Sequence, residues 1–121
     1  MKQTTDLIIV MTKGIYDEVS SVGLVIANGA LTSGKSVGLF LTSSAIDLVR
    51  KNGVEHTQVH PMESVKDLLN SFMERGGDVW ACPPCTKARG YDQDSLIDGV
   101  VIHGASVIMD RIKNGAATLT F

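Results

Sequence analysis

The stretch "DVWACPPCTKARG", Asp78 to Gly90, decides how the whole chain is read. Its first residues, Asp78–Ala81, form a short apolar run of strand type. Cys82 stands before a proline, which disfavours helical backbone at the preceding residue, so Cys82 belongs at the strand's end. The tandem prolines point to a helix starting at Pro84, where a missing N–H does no harm. Gly90 suits the left-handed turn that ends a short helix. The stretch is therefore one βα unit, with a cysteine at the carboxyl end of its strand.

The same alternation runs outward in both directions. "DLIIVM" (Asp6–Met11) fits a strand buried on both faces. Asp17 and Glu18 open a helix where acidic side chains meet its positive end, and Val19, Val22, Ile26 and Ala30 recur at helical spacing as its expected buried stripe. "SVGLFLT" (Ser36–Thr42) is the second strand, and Ser43 or Ser44 is expected to cap the short helix through "AIDLVRK". "NGVEHTQVHP" reads as a connector. Ser64 to Arg75 is amphipathic, with Val65, Leu68, Leu69 and Phe72 on one face. "GVVIH" is a fourth strand, Ala105 to Lys113 a further helix closed by Asn114-Gly115, and "AATLTF" the last strand. Strands alternating with helices predict an α/β domain spanning residues 1–121, with a parallel sheet covered by helices on both faces. Ligands and chemistry gather outside the carboxyl ends of such strands. Those ends carry Thr12-Lys13-Gly14, Ser43-Ser44, Cys82 to Cys85, and His103-Gly104.

Composition narrows the function. The chain has 121 residues, 44% hydrophobic and 20% charged, which leaves little charge to cover the outside of so small a domain. Some apolar surface is therefore expected to be buried in a homo-oligomer. A net charge of -2, with no lysine- or arginine-rich run, argues against nucleic-acid binding. The opening segment lacks the length of a signal h-region or a membrane span, so a cytoplasmic protein away from membranes is expected. In a reducing compartment a close cysteine pair is more often reactive or metal-binding than structural.

Cys82 and Cys85 are the only two cysteines. A helix starting at Pro84 leaves the amides of Cys85, Thr86 and Lys87 unpaired and pointing back toward Cys82. Those donors, the helix dipole and the positive charge of Lys87 and Arg89 predict a lowered pKa and a nucleophilic thiolate at Cys82, the faster of the two thiols to alkylate. Three rival readings stand beside this one. Both cysteines can be small buried hydrophobes. A zinc site needs two ligands beyond the pair, and His56 and His60 have a tolerable spacing but lie upstream in a connector; no metal is expected. A thioredoxin-like oxidoreductase shares the C-x-x-C motif, but here two βα units precede it, no proline lies downstream of Cys85, and the C-terminal part reads β-α-β.

"CPPCTKARG", together with "ANGALTSGKSVGLFLT" and the terminal "TLTF", resembles the DsrE/DsrF-like proteins, including the YchN-like group. The resemblance covers nearly the whole chain. It implies a three-layer α/β/α sandwich with a parallel five-stranded sheet, and trimers or hexamers. It implies sulfur relay, in which a cysteine persulfide is loaded by a sulfur donor protein and passed to an acceptor. The family's carrier cysteine lies eight positions before the glycine of the Arg-Gly pair, which matches Cys82. Cys85 has no counterpart in several relay members. A persulfide on Cys82 could thus be handed on, or attacked internally by Cys85 as a resolving thiol. No cofactor is required.

Other residues are weighed against plainer roles. His103 could help ionise Cys82, or be a hydrogen-bonded strand-end histidine. Lys13 and Ser43 could hold an anion such as a persulfide, or be solvated. Trp80 reads as core or subunit interface, and Met62 and Met73 as core filler. "GLVIANGALTSGK" lacks a phosphate-loop frame and lies within a helix pattern, so nucleotide binding there is rejected. The first expectation is a sulfurtransferase or sulfur carrier acting through Cys82. The alternatives are a non-catalytic oligomeric binding module and a dithiol/disulfide oxidoreductase.

Overall fold

A computed structural model describes residues 4–55 and 60–121, so His56 of the connector lies outside the described residues. The chain runs β1 (Leu7–Met11), α1 (Glu18–Thr32), β2 (Val37–Leu41), α2 (Val65–Glu74), β3 (Asp78–Ala81), α3 (Pro83–Ala88), β4 (Val100–Ile102), α4 (Ala105–Lys113) and β5 (Ala117–Thr120). Two short 3-10 helices, Ser43–Leu48 and Gln93–Ser95, sit in the connections. The strands pair in the order β4-β3-β2-β1-β5, all parallel. The chain thus steps one way across the sheet from β1 to β4, then returns through α4 to the far edge. With right-handed crossovers, that reversal puts α4 on the opposite face from the earlier helices.

Register explains the two cores. Ile9, Leu39, Val79 and Val100 lie on one face and pack with Leu24 and Ala27 of α1 and Leu68, Leu69 and Phe72 of α2. The alternate residues Ile8, Phe40 and Trp80 lie on the other face and pack with Ile108 of α4. β2, central in the sheet, is buried at all five positions. Trp80 lies against Gly38, whose missing side chain leaves the space the indole fills. The Arg111 guanidinium stacks over the indole at 5.5 Å. Trp80 is therefore core on the thinner, α4-covered face.

Most elements lie where the sequence places them, with three differences. The buried side of α1 is Ser20, Ser21, Gly23, Leu24 and Ala27, while Val22 and Val25 are exposed. Small residues win that face because they let α1 lie close to the sheet: a Cβ on Gly23 would meet the Met11 Cε at 3.2 Å. The segment after β2 winds as a 3-10 helix capped by neither serine side chain. Ser44 Oγ donates instead to the Thr12 carbonyl at 3.3 Å. α3 begins at Pro83, with Cys82 as its N-cap, one residue earlier than expected. Of the two methionines read as core filler, Met73 packs against the main core, whereas Met62 lines a groove between α1 and α2. No described helix is long and apolar enough to cross a membrane.

Candidate functional site

Cys82 and Cys85 are held by the junction of β3 and α3. The Cys82 amide donates to the Leu41 carbonyl of β2 at 3.0 Å, extending the sheet one residue past β3. Its backbone is extended, at φ -65 and ψ 124. The Thr86 amide then donates to the Cys82 carbonyl at 3.0 Å, closing the first helical turn. Pro83 and Pro84 fill positions whose amides would have no helical partner. Cys82 thus ends a strand and Cys85 lies in the next helix's first turn.

The two sulfurs face different parts of the molecule. Cys85 packs against the main core on the α1 and α2 side, and Cys82 against the α4-side cluster. Both are half-buried and neither is in a disulfide. They lie close enough for each to act on the other's charge, and as N-cap of α3 the Cys82 side chain accepts no cap hydrogen bond. Burial pushes the Cys82 thiol up, the Cys85 amide pulls it partly back, and the Cys85 thiol raises it again through its hydrogen bond and charge. The lowered pKa expected of Cys82 is therefore corrected: the shift is upward. Three free amides were expected to face Cys82. In the structure Thr86 spends its amide on the Cys82 carbonyl, and only the Cys85 amide offsets burial.

The Cys85 sulfur has its own donor. The Ser43 amide, on the 3-10 helix after β2, donates to it at 3.2 Å. Ser43 holds φ 53, in the left-handed region that non-glycine residues seldom occupy. The Ser43 side chain is exposed, so this residue acts through its main chain.

A second set of bonds ties the Ser43 segment to α3. Tyr91 Oη donates to Asp47 Oδ1 at 2.7 Å, and Arg89 Nε lies 3.9 Å from Asp47 Oδ2. Arg89 Nη1 also donates to the Cys85 carbonyl at 3.2 Å. The Arg89 guanidinium is thus engaged with Asp47 and the main chain of Cys85, and acts as a brace. Lys87 is exposed on the last turn of α3. The His103 amide donates to the Ala81 carbonyl at 3.2 Å, so β4 brings this half-buried histidine beside the strand end that carries Cys82. Lys13 is exposed and, with Gly14, Ile15, Tyr16, Ser44 and Asp47, lines a concavity of about 360 Å³ next to the Ser43–Asp47 segment. His60 is exposed, and among the described residues no group of three His, Cys, Asp or Glu side chains is placed to hold a metal ion.

Sequence reasoning missed Asp47, Tyr91 and the amide role of Ser43. Asp47 and Tyr91 lie 44 positions apart, and neither falls in a recognisable motif. Single-sequence reading has no signal for a serine in the left-handed region.

The sequence profile of the DsrE/DsrF-like family matches residues 5–121, and the chain belongs to that family. It is 30% identical over 92 residues to the uncharacterized protein MK0008 of Methanopyrus kandleri, covering 76% of this chain and 73% of that one. It is 29% identical over 94 residues to the uncharacterized protein MJ0989 of Methanocaldococcus jannaschii, covering 76% and 77% respectively. Its fold is similar to that of the ychN protein from E. coli, with a TM-score of 0.77 at 23% identity over 98% of this chain and 100% of that one. MTH1491 from Methanobacterium thermoautotrophicum superposes with a TM-score of 0.71 at 17% identity, over 98% of this chain and 100% of that one. These matches establish the three-layer α/β/α fold with its parallel five-stranded sheet.

Proposed function

We propose that this protein handles sulfane sulfur, taking it up as a persulfide on Cys82 and passing it to an acceptor thiol. The observation that carries the reading is the Cys82 sulfur itself: half-buried at a strand's carboxyl end, at the start of α3, it has a second thiol beside it. A persulfide needs an accessible thiolate, and partial burial slows its loss to water and stray thiols. Family membership supports the same chemistry, since sulfur relay is the role its resemblance implies.

We also propose that the chain works as a homo-oligomer, a trimer or a hexamer. The support is the α4 side of the sheet, where one nine-residue helix leaves Val101, Met109 and Ile112 exposed. Apolar side chains grouped this way favour burial against another copy.

The test of the sulfur reading is intact mass after incubation with a sulfane-sulfur donor such as polysulfide. The Cys85→Ser variant, which keeps a single acceptor, should gain one or more sulfur atoms that a reductant removes. The doubly substituted Cys82→Ser, Cys85→Ser chain should gain none. Absence of any gain on the first variant across several donors would favour a non-catalytic binding module.

A further inference from the structure

Two sulfurs within reach of each other do not have the same partners. Cys85 takes an amide from Ser43, across a separate connection of the sheet, whereas the Cys82 side chain, at the N-cap of α3, accepts no cap hydrogen bond. An amide donor fixes the position of the sulfur that accepts from it. Ser43 offers its amide from a backbone conformation that costs free energy for a non-glycine residue, and this conformation is held by the surrounding structure. The Asp47 carboxylate, through Tyr91 and Arg89, binds that segment to the helix bearing Cys85. The braces converge on Cys85, the Ser43 amide on its sulfur and Arg89 on its carbonyl.

Resting on the reading of Cys82 as the persulfide carrier, we propose that Cys85 discharges that persulfide, with the Ser43 amide steadying the attacking sulfur and Asp47 acting as a positioning residue. The Cys85 thiolate attacks the Cys82 Sγ. The bond between the two cysteine sulfurs forms as the bond from Cys82 Sγ to the sulfane sulfur breaks. The electron pair leaves with the sulfane sulfur, which departs carrying its proton as hydrosulfide. The sulfane sulfur is reduced, and the two cysteines are oxidised to a disulfide. Each further turnover consumes a dithiol reductant, which restores both thiols. The protein would then act as a persulfide reductase, with a sulfane-sulfur compound as substrate and hydrosulfide as product.

The experiment loads the full chain and the Cys85→Ser variant with polysulfide, anaerobically and without reductant, then removes excess donor. Intact mass and free hydrosulfide are followed with time. The wild-type chain should release hydrosulfide and end as an internal disulfide, while Cys85→Ser should hold its extra sulfur with loss of release. Asp47→Ala should load normally but discharge roughly tenfold or more slowly, the scale expected when a reacting group is misplaced. Asp47→Asn, which can still accept from Tyr91, should restore most of the rate. A wild-type chain that keeps its persulfide, or moves sulfur to Cys85 without hydrosulfide, overturns the proposal and leaves the carrier reading intact. Failure of both chains to load overturns both.

Discussion

The main-chain amide of Ser43 donates a 3.2 Å hydrogen bond to the sulfur of Cys85, joining the end of β2 to the first turn of α3. The contact makes the cysteine pair a product of two βα connections rather than of the C-x-x-C loop alone. It also makes the backbone at Ser43 a point where sequence and site geometry can be separated experimentally.

Ser43→Gly should leave the site intact, because glycine keeps the amide and adopts φ 53 without steric cost. Stability in urea should be unchanged or higher by up to about 1 kcal/mol, and the rate of hydrosulfide release should persist. Ser43→Val puts a branched Cβ into the left-handed region and should lower stability by roughly 1–2 kcal/mol. If Ser43→Gly instead abolishes release while the fold stays intact, the hydroxyl rather than the amide is the working group.

Gly38→Ala tests the α4-side core. A Cβ at this position would overlap the Trp80 ring, and β2 is buried on both sides, so nothing nearby can yield cheaply. The expected loss is about 1–3 kcal/mol, the usual cost of overpacking, with an altered tryptophan emission spectrum as the local reporter. An unchanged urea midpoint and spectrum would show that Trp80 does not lie over Gly38.

Tyr91→Phe removes the hydroxyl that donates to Asp47. At neutral pH it should cost about 1 kcal/mol, the net worth of one hydrogen bond. The hydrogen bond to the Asp47 carboxylate is the main cause raising the Tyr91 pKa above its ordinary value of 10.0, with burial adding to it. A group with a raised folded pKa contributes stability that is complete below its ordinary value and is lost as pH rises through the folded one. The difference in urea stability between wild type and Tyr91→Phe should therefore hold from neutral pH to about 10.0 and shrink above it. A difference that grows with alkalinity would contradict the contact.

The proposed homo-oligomer rests on the exposed apolar groups of the α4 side. Sedimentation at micromolar concentration should give a species larger than the 12.9 kDa chain. Met109→Glu places a charge on the exposed side of α4 and should dissociate it, with the circular dichroism of the fold unchanged. A monomer at all concentrations would remove the α4 side as an interface.

How far the sequence carried the reading depends on the range of the interactions involved. The strand Asp78–Ala81, the buried face of α2 and the ends of α4 were legible because each rests on local periodicity or a breaker residue. The stripe on α1 was misread because hydrophobicity pointed to Val22, whereas close packing on the sheet selected Gly23 and its small neighbours. The strand order, with β5 returning beside β1, follows from a crossover that no local pattern encodes. At the site, the positions of Cys82 and Cys85 were legible from the prolines. The Asp47–Tyr91 contact was not, being made between residues far apart in the chain. The direction of the Cys82 shift was misjudged because burial cannot be read from the motif, and burial outweighs the single amide.

The raised pKa of Cys82 gives the sharpest test of the thiol chemistry. Burial is the largest influence on Cys82 and opposes ionisation, and the neighbouring Cys85 thiol adds to it. The rate of iodoacetamide labelling at Cys82, followed by peptide mass, should therefore rise with pH through a midpoint above the ordinary thiol value of 9.0. Labelling at neutral pH should be slow, since the thiolate is the reacting form. Cys85→Ala removes the thiol that raises Cys82 but keeps the amide that lowers it, so the midpoint should move down. A Cys82 midpoint below 9.0 in the wild-type chain would mean that the helix-start donors outweigh burial after all, and the thiol would be an activated nucleophile at neutral pH. A midpoint that does not move in Cys85→Ala would mean that the two sulfurs do not interact, which removes the geometric basis for discharge of one by the other.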